Sequence, residues 1–482
     1  MLGDTITAIA TSQGAGGIGI VRISGSESLE IINKLFKPVD QYRWREKKYS
    51  LHYGHLYYPY EPAIDEFEAD SPQRQLIDEV LVGVMLAPHS YTTEDVVEIN
   101  CHGGASVLRT CLMAVLSCGA RLAEPGEFTK RAFLNGRLDL VQAEAIIDLI
   151  NAHTDKARTL ASGQLAGDLS DQLTTIKKQL LNINTHLEAY LEFPEEDIEA
   201  LDMEEIKKKL SSLEKEINRL NATAQAGRIY KDGISVSILG KPNVGKSSLL
   251  NVLINEEKAI VTNIPGTTRD IIEEFLNISG IPVKIIDTAG IRQTEELIET
   301  IGVNKTKASA QVADFILLVL DGSQEPDELD RQVIELVLNK KGLTVINKID
   351  QKIKEIRLIR DLLQEYLPEW PVVEISALQK SGIEQLKEAI VKYVIGKEFI
   401  GIEQSNQIMI TNLRHSRQLM KAADFLKEAQ GIITEGMQYE TPFLDLAAID
   451  IRGAWEAICE IDGYFVTEDI IDEIFAKFCI GK

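Results

Sequence analysis

An eight-residue segment, Gly-Lys-Pro-Asn-Val-Gly-Lys-Ser at residues 240–247, constrains the fold of this chain more than any other feature. It matches the Gly-x4-Gly-Lys-Ser/Thr pattern of a phosphate-binding loop. An apolar run at 234–239 precedes it and a helical pattern at 248–253 follows it. Glycine lets the backbone curl until its N–H groups and the helix N-terminus face a β-phosphate. The sequence therefore predicts a strand–loop–helix unit that binds a nucleoside triphosphate.

The residue types in this loop indicate its chemistry. The ammonium group of Lys246 is expected to reach the β- and γ-phosphates, and the hydroxyl of Ser247 is expected to be a ligand of Mg²⁺. The nucleotide-binding residues predicted for this segment are Asn243, Val244, Gly245, Lys246, Ser247 and Ser248.

A second motif, Asp-Thr-Ala-Gly at residues 287–290, follows the predicted strand 283–286. The Asp287 carboxylate is expected to hold Mg²⁺ through water, and the Gly290 N–H is expected to meet the γ-phosphate. All four residues of the motif are predicted to bind the nucleotide: Asp287, Thr288, Ala289 and Gly290.

Two more motifs select the base. Asn-Lys-Ile-Asp at residues 347–350 follows the predicted strand 343–346, and Ser376-Ala377 follows the apolar run 372–375. The Asp350 carboxylate can accept from N1–H and from the exocyclic amine of guanine, whereas adenine lacks that paired donor edge. A backbone N–H of the last motif is expected to meet guanine O6. Four motifs in this order predict a guanine-nucleotide domain whose base site uses Asn347, Lys348, Asp350, Ser376 and Ala377.

The chain is too long for one hydrophobic core, since 482 residues indicate about three domains. Residues 1–120 have a mixed α/β pattern, residues 121–228 and 400–482 have helical periodicity, and residues 229–399 alternate strand and helix. We therefore predict a multidomain α/β and all-α protein. It has an N-terminal α/β domain and a helical domain into which a Ras-like P-loop domain with a mostly parallel, doubly wound sheet is inserted. Two separate helical domains are the weaker alternative.

Charge and cysteine content limit the environment of the protein. The net charge of −23 argues against a chain that coats itself in nucleic acid by electrostatics alone. Five cysteines, an odd and sparse set, indicate a reducing compartment. No apolar run approaches the roughly 18 residues of a membrane span, and the first residues lack a basic signal-peptide region. The expectation is a cytoplasmic protein with no membrane span.

Glycines at 14, 16 and 19 form a Gly-x-Gly-x-x-Gly pattern, which is typical of dinucleotide-binding loops. The residues that follow, 20–23, predict a strand, so no helix N-terminus is available to a pyrophosphate. A glycine-rich hairpin near a ligand is the better prediction.

Five segments outside the nucleotide motifs carry a resemblance to a known family. They are Gly-Gly-Ile-Gly-Ile-Val-Arg-Ile-Ser-Gly at 16–25, His-Gly-Gly at 102–104, Pro-Gly-Glu-Phe-Thr at 125–129, Arg-Ala-Phe-Leu-Asn-Gly at 131–136, and Cys-Ile-Gly-Lys at 479–482. Together with the inserted nucleotide domain, they make the chain resemble the tRNA-modification GTPase family MnmE, also called TrmE, over essentially its whole length.

The resemblance implies a K⁺-stimulated GTP hydrolase that modifies the wobble uridine of certain tRNAs at C5. It implies addition of a carboxymethylaminomethyl or aminomethyl group, with a one-carbon unit from a tetrahydrofolate derivative (5-formyl- or methylene-tetrahydrofolate) held by the N-terminal domain. The implied cofactors are GTP, Mg²⁺, K⁺ and this folate. The implied partners are a second copy of the chain as a homodimer, tRNA, and an FAD-dependent MnmG-type protein in a heterotetramer.

The resemblance also assigns residues. Family folate contacts map to Arg22, Glu98, Arg137 and Lys482, with arginine at 137 where some members have lysine. The K⁺ ligands map to Asn243, Thr262, Ile264 and Thr267, and Thr268 is the expected second Mg²⁺ ligand. The loop residues implied to bind GTP are Thr262, Asn263, Ile264, Pro265, Gly266, Thr267 and Thr268.

Two parts of a Ras-like catalytic site are missing from the sequence. Ile291 stands where glutamine would orient water, and no arginine finger is evident. The family uses K⁺ at Asn243 for positive charge beside Lys246, and the resemblance points to Glu299 for the water, with Glu295 and Glu296 as competitors. Cys479 is a candidate thiol, either as a nucleophile or as part of the shape of the folate or partner site.

Two other functions stay open at this point. One is a ribosome-assembly GTP switch with no role in modification, although such a switch would be expected to carry a basic RNA-binding domain. The other is a stand-alone folate-dependent methyltransferase in which the GTPase is only regulatory.

Overall fold

The computed structural model describes residues 3–12, 14, 16–39, 48–59, 75–192, 202–256, 275–286, 310–351, 356–396, 408–439 and 444–482. The chain forms two compact units. One is made of Met1–Ile147 with Asp462–Lys482, and the other is made of Asp148–Val261 with Ile271–Ile461. Across the described ranges, no helix combines the length and apolar character that crossing a membrane requires.

The first unit is built on a seven-stranded sheet. Its strands are β1 (Ile6–Ile9), β2 (Gly16–Ser24), β3 (Phe36–Pro38), β4 (Tyr49–Tyr57), β5 (Leu76–Met85), β6 (Val96–Gly103) and β7 (Arg121–Leu122). They lie in the order β3-β4-β5-β6-β2-β1-β7, and every neighbouring pair is antiparallel except β1 with β7. The predicted strand after the glycine-rich segment is confirmed, because β2 pairs with β1 as a hairpin and no helix follows the glycines.

Helices α1 (Ser28–Leu35) and α2 (Ala105–Ser117) cover one face of this sheet. Helix α3 (Glu127–Leu134) instead packs Phe128 against Ile6 and Ala8 of β1 in a separate cluster, and α4 (Leu140–Ile150) follows it. Alternate residues of β5, Val80, Val82 and Val84, are buried in one cluster with Leu108 and Cys111 of α2. This alternation is what a sheet with one buried face requires.

The last residues of the chain belong to the first unit and return to its sheet. The final helix runs over Glu468–Phe475, and Phe475 packs tightly on Gly126, where a Cβ would lie 2.7 Å from the Phe475 carbonyl oxygen. Gly481 has a φ of +96° and lies against β1, since a Cβ there would be 2.3 Å from the Ile9 carbonyl oxygen. This return places Gly481 beside β1 and within hydrogen-bond distance of Arg22 on β2.

The second unit contains one helical domain formed from two chain segments. Its helices are α5 (Asp155–Ala166), α6 (Asp168–Glu192), α7 (Met203–Ala222) and α8 (Ala224–Asp232) from the first segment, and α13 (Leu413–Tyr439) and α14 (Leu444–Asp462) from the second. Gln430 of α13 donates to Glu214 of α7 at 2.8 Å, and Ser416 donates to Asn221 at 2.6 Å. The prediction that both segments form a single helical domain is confirmed.

A six-stranded sheet is inserted between those segments. Its strands are β8 (Ile234–Leu239), β9 (Phe275–Ile278), β10 (Ile281–Ile286), β11 (Phe315–Asp321), β12 (Gly342–Asn347) and β13 (Val372–Glu374), and its helices are α9 (Lys246–Glu256), α10 (Glu328–Glu335), α11 (Ile356–Tyr366) and α12 (Ile383–Ile395). The order is β13-β12-β11-β8-β10-β9, and of these strands only β9 is antiparallel, which agrees with the predicted mostly parallel sheet. The carboxyl ends of β8, β11 and β12 meet at one edge, where ligands of open α/β sheets bind.

The chain enters and leaves this inserted domain at adjacent points. At Gly227 of α8, a Cβ would lie only 2.2 Å from the Ile410 carbonyl oxygen, so glycine is needed for the two segments to run side by side. Gln164 of α5 holds the outgoing segment by donating to the Met409 carbonyl at 3.1 Å. Thr154 holds the β9–β10 turn by donating to the Gly280 carbonyl at 2.9 Å. The insertion is therefore fixed to the helical domain at more than its two chain connections.

Candidate nucleotide-binding site

The phosphate loop lies between β8 and α9, as the motif predicted, and two of its glycines are sterically required. Gly240 has a φ of +152°, and a Cβ there would lie 2.3 Å from the Val319 carbonyl oxygen. Gly245 has a φ of +99°, and a Cβ there would lie 2.2 Å from Nδ2 of Asn347. The loop is a narrow backbone cradle that side chains would fill, which fits a bound phosphate group.

Lys246, the first residue of α9, is held within the loop itself. Its Nζ donates to the carbonyl oxygens of Gly240 at 2.8 Å and Lys241 at 2.7 Å. Burial lowers the pKa of Lys246, because the ammonium group is desolvated. A polyphosphate would supply the missing negative charge, so this environment fits the triphosphate that the motif predicts.

Lys241, the second residue of the loop, ties it to the start of α10. Its Nζ donates to Asp330 Oδ2 at 2.7 Å and to Asp327 Oδ2 at 2.9 Å. The side chains of Lys241 and Asp330 are 8% and 4% exposed, so this ion pair is buried, whereas Asp327 is half exposed. The same Asp327 and Asp330 form the capping box of α10. The loop is thus anchored to a helix end by a buried charge.

The base-selective motif at the end of β12 also contacts the phosphate loop. Asn347 donates from Nδ2 to the Val244 carbonyl at 2.9 Å, and its Oδ1 accepts from the Ala377 N–H at 3.0 Å. Ser376 donates to Asp350 Oδ1 at 2.5 Å. The structure thus brings the two base-site motifs together and joins them to the loop that would hold the phosphates.

Lys348 makes a second link between the base-site motif and the loop. Its Nζ donates to the Asn243 carbonyl at 2.6 Å and to Asp321 Oδ2 at 2.7 Å. Four charged residues of this site were not predicted from the sequence: Asp321, Lys241, Asp327 and Asp330. A signal for Asp321 exists: it ends β11, a strand next to β8, so its side chain falls at the same sheet edge as the loop.

Several predicted site residues lie outside the described residues. They are Thr262, Asn263, Ile264, Pro265, Gly266, Thr267, Thr268, Asp287, Thr288, Ala289, Gly290 and Glu299. Ser247 and Ser248 lie in the first turn of α9, at the loop.

The residues predicted for a folate lie together in the first unit. Arg22 on β2 faces Glu98 on β6 in the strand register, and its Nε donates to Glu98 Oε1 at 2.8 Å. Arg22 Nη1 donates to the Gly481 carbonyl at 3.2 Å, which brings the neighbouring Lys482 close. The guanidinium of Arg137 lies 4.6 Å from the Tyr91 ring centroid, and that of Arg22 lies 5.3 Å from the same ring.

Two aromatic residues of this cluster were not predicted from the sequence. Tyr91 lies within cation–π distance of both arginines, and Phe128 lies 5.5 Å from the Arg22 guanidinium. Two arginines, a carboxylate and two aromatic rings lie together here. This combination fits a planar, anionic ligand such as the implied folate. Cys479 is exposed at the edge of this region, and its carbonyl accepts from the Gly126 N–H at 3.4 Å.

Two family models match the chain. The model of the N-terminus of the GTP-binding protein TrmE matches residues 5–137, and the model of the MnmE helical domain matches residues 140–479. Three curated relatives are named tRNA modification GTPase MnmE. The one from Alkaliphilus oremlandii is 44% identical over 99% of this chain and 99% of its own. Those from Desulforamulus reducens and Thermoanaerobacter pseudethanolicus are 46% and 44% identical, each over 100% of both chains.

Proposed function

Because the chain belongs to the MnmE family of tRNA modification GTPases, we propose that it hydrolyses GTP in the course of modifying tRNA. GTP and Mg²⁺ are the cofactors of such a GTPase. The observation that carries the proposal is the junction of the phosphate loop with the base site. Asn347 bonds both to Val244 of the loop and to Ala377 of the base motif.

The chain acts on the wobble uridine at C5 with a one-carbon unit from a tetrahydrofolate derivative, and an FAD-dependent MnmG-type partner completes the reaction. The support is the cluster of Arg22, Glu98, Arg137 and Tyr91, in which two cations and an aromatic ring lie beside a carboxylate. Lys482 follows Gly481, whose carbonyl oxygen accepts a hydrogen bond from Arg22, so Lys482 lies near this cluster.

Hydrolysis needs positive charge between the phosphates and a positioned water. Lys246 supplies one cation. We assign the second to K⁺ held by Asn243, with Thr262, Ile264 and Thr267. Within the described residues, the Asn243 side chain is exposed and has no hydrogen-bond partner, so its amide oxygen is available to a cation. Glu299 is the proposed residue for the water, and Ser247 and Thr268 are the proposed Mg²⁺ ligands.

The chain acts as a homodimer in the cytoplasm, and its domain boundaries lie near residues 120, 228 and 399. The helical domain transmits the state of the nucleotide, because Gln164 and Thr154 fix the inserted domain to α5.

The base assignment is tested with the Asp350→Asn variant. An amide can donate to the xanthine O2 where the carboxylate accepted from the guanine amine, so preference should move toward xanthosine nucleotides. Competition between GDP and XDP for the full-length protein measures it. The matched control is Asp361→Asn, on the exposed side of the neighbouring helix α11. If both variants keep the guanine preference of the parent, Asp350 does not read the base.

A further inference from the structure

We propose that Asp321 is a positioning residue for the cation site, acting through Lys348 on the backbone of Asn243. The inference rests on the K⁺ site proposed above and adds a residue that orients one of its ligands. It makes the base-site motif and the cation ligand parts of one connected unit.

The connection is a short chain of charge-assisted hydrogen bonds. Asp321 Oδ2 accepts from Lys348 Nζ at 2.7 Å, and the same Nζ donates to the Asn243 carbonyl at 2.6 Å. The other carboxylate oxygen, Oδ1, accepts from Ser323 N–H at 3.0 Å and from Ser323 Oγ at 2.6 Å. Both carboxylate oxygens are engaged, so Asp321 has a fixed orientation.

The Asp321 end of this arrangement is buried. The Asp321 side chain is 3% exposed, and burial alone would raise its pKa, but the hydrogen bonds from Lys348 and Ser323 hold that pKa below its usual value. Asp321 is therefore ionised at neutral pH and supplies the counter-charge that fixes the direction of the Lys348 ammonium group.

The backbone at both ends of the Lys348–Asn243 bond is unusual. Asn243 has a φ of +65° and Lys348 has a φ of +67°, and both values lie in the left-handed region that non-glycine residues rarely adopt. Such conformations persist when the surrounding contacts determine them, and they concentrate at functional sites. Lys348 adopts this conformation where its side chain reaches back to the loop.

The consequence falls on the side chain of Asn243. The direction of a Cα–Cβ bond is set by the backbone on either side of it, and the carbonyl of Asn243 is held by Lys348. If the ammonium group is released, the peptide can rotate, and the Cα–Cβ bond that carries the Asn243 amide is no longer held in one direction. Asp321 never touches the cation, yet it determines how well Asn243 is oriented toward it.

The experiment compares Asp321→Asn with Ser323→Ala in the full-length protein. Asparagine keeps the size but removes the charge that orients Lys348. Ser323→Ala removes a hydrogen bond to the opposite carboxylate oxygen and leaves the Lys348 pair intact. Thermal unfolding of protein loaded with a non-hydrolysable GTP analogue is measured at rising KCl, with NaCl keeping the ionic strength constant. The same KCl titration is then repeated, and the rate of GTP hydrolysis is measured at each KCl concentration.

We expect the K⁺ concentration for half-maximal effect to rise about tenfold in Asp321→Asn, in both measurements, because a charge-assisted bond is roughly twice as strong as a neutral one. Ser323→Ala should stay within about twofold of the parent. Affinity for GDP without K⁺ should change less than the K⁺ requirement does. A purely structural role of Asp321 would lower the unfolding temperature equally at every K⁺ concentration.

Lys348→Gln provides the same test from the other end of the connection. It should raise the K⁺ requirement by a similar factor, and adding Asp321→Asn to it should change that requirement little further, because both act through one contact. If Asp321→Asn does not fold, Lys348→Gln decides the question alone. If K⁺ stimulates the parent but the K⁺ concentration for half-maximal effect is unchanged in these variants, the inference is overturned. No K⁺ effect in the parent overturns the cation site itself, and the inference with it.

Discussion

The buried ion pair between the phosphate loop and α10 allows the sharpest prediction of stability. Asp330→Ala leaves Lys241, whose side chain is 8% exposed, with the half-exposed Asp327 as its remaining ion-pair partner among the described residues. Removing one member of a buried pair costs about 3–5 kcal/mol, since the remaining charge is uncompensated. The retained bond to Asp327 places the expected loss at the lower end, about 3 kcal/mol. The variant also loses the Asp330 half of the α10 capping box.

The neighbouring residue provides a matched control. Arg331 lies on the same helix, and its only described ion pair joins two exposed side chains, Nη1 to Glu328 Oε2 at 3.9 Å. Arg331→Ala should therefore change stability by no more than about 0.5 kcal/mol.

Release of a fluorescent GDP analogue during a urea titration reports unfolding of the inserted domain within the full-length protein. With a slope of about 1–3 kcal/mol per molar urea, a loss of about 3 kcal/mol in Asp330→Ala should lower the midpoint by roughly 1–3 M. The Arg331→Ala midpoint should overlap that of the parent. Equal midpoints for all three proteins would refute the reasoning, because Lys241 would then have to be solvated or paired elsewhere.

Three further predictions concern the loop, the cation and acid stability. Gly245→Ala should abolish guanine-nucleotide binding in an equilibrium fluorescence titration, because its φ is +99° and the new Cβ would lie 2.2 Å from Asn347; retained affinity would contradict the geometry. Asn243→Ala should lose K⁺-stimulated hydrolysis but keep nucleotide affinity, and equal stimulation in KCl against NaCl would remove Asn243 from the cation site. The hydrogen bond from Arg121 holds the pKa of Asp4 below 3.8, so its stabilisation is full above that pH and is lost as the pH falls through the lower, folded-state pKa. Arg121→Leu should weaken this acid dependence, which unfolding measured from about pH 6 to pH 2 would reveal.

The sequence predicts those parts of the fold that depend on local patterns. Apolar runs predict the strand before the phosphate loop and the strand after the glycine-rich segment. One helix continues past a residue that local propensity disfavours, since α13 runs over Leu413–Tyr439. Gly431 lies inside that helix, and packing of α13 against α7 outweighs the low helix propensity of glycine.

The contacts that organise the candidate sites are not local, so a sequence pattern cannot supply them. Asp321 and Lys348 are brought together by the pairing of β11 with β12, and Lys241 meets Asp330 across 89 positions of the chain. Arg22 meets the carbonyl of Gly481 across 459 positions. Residue types at motif positions indicate which chemistry a site performs, whereas its supporting charges depend on how distant segments pack.

The most direct test of the account is the modification state of tRNA in cells that lack only the gene for this chain. Mass spectrometry of tRNA nucleosides should show loss of the C5 modification of the wobble uridine. The parent gene should restore it, and a gene carrying Lys246→Ala should not, because that variant lacks the cation that reaches the phosphates. Unchanged wobble-uridine modification in the deletion strain, or full restoration by Lys246→Ala, would contradict the claim that GTP hydrolysis by this protein serves tRNA modification.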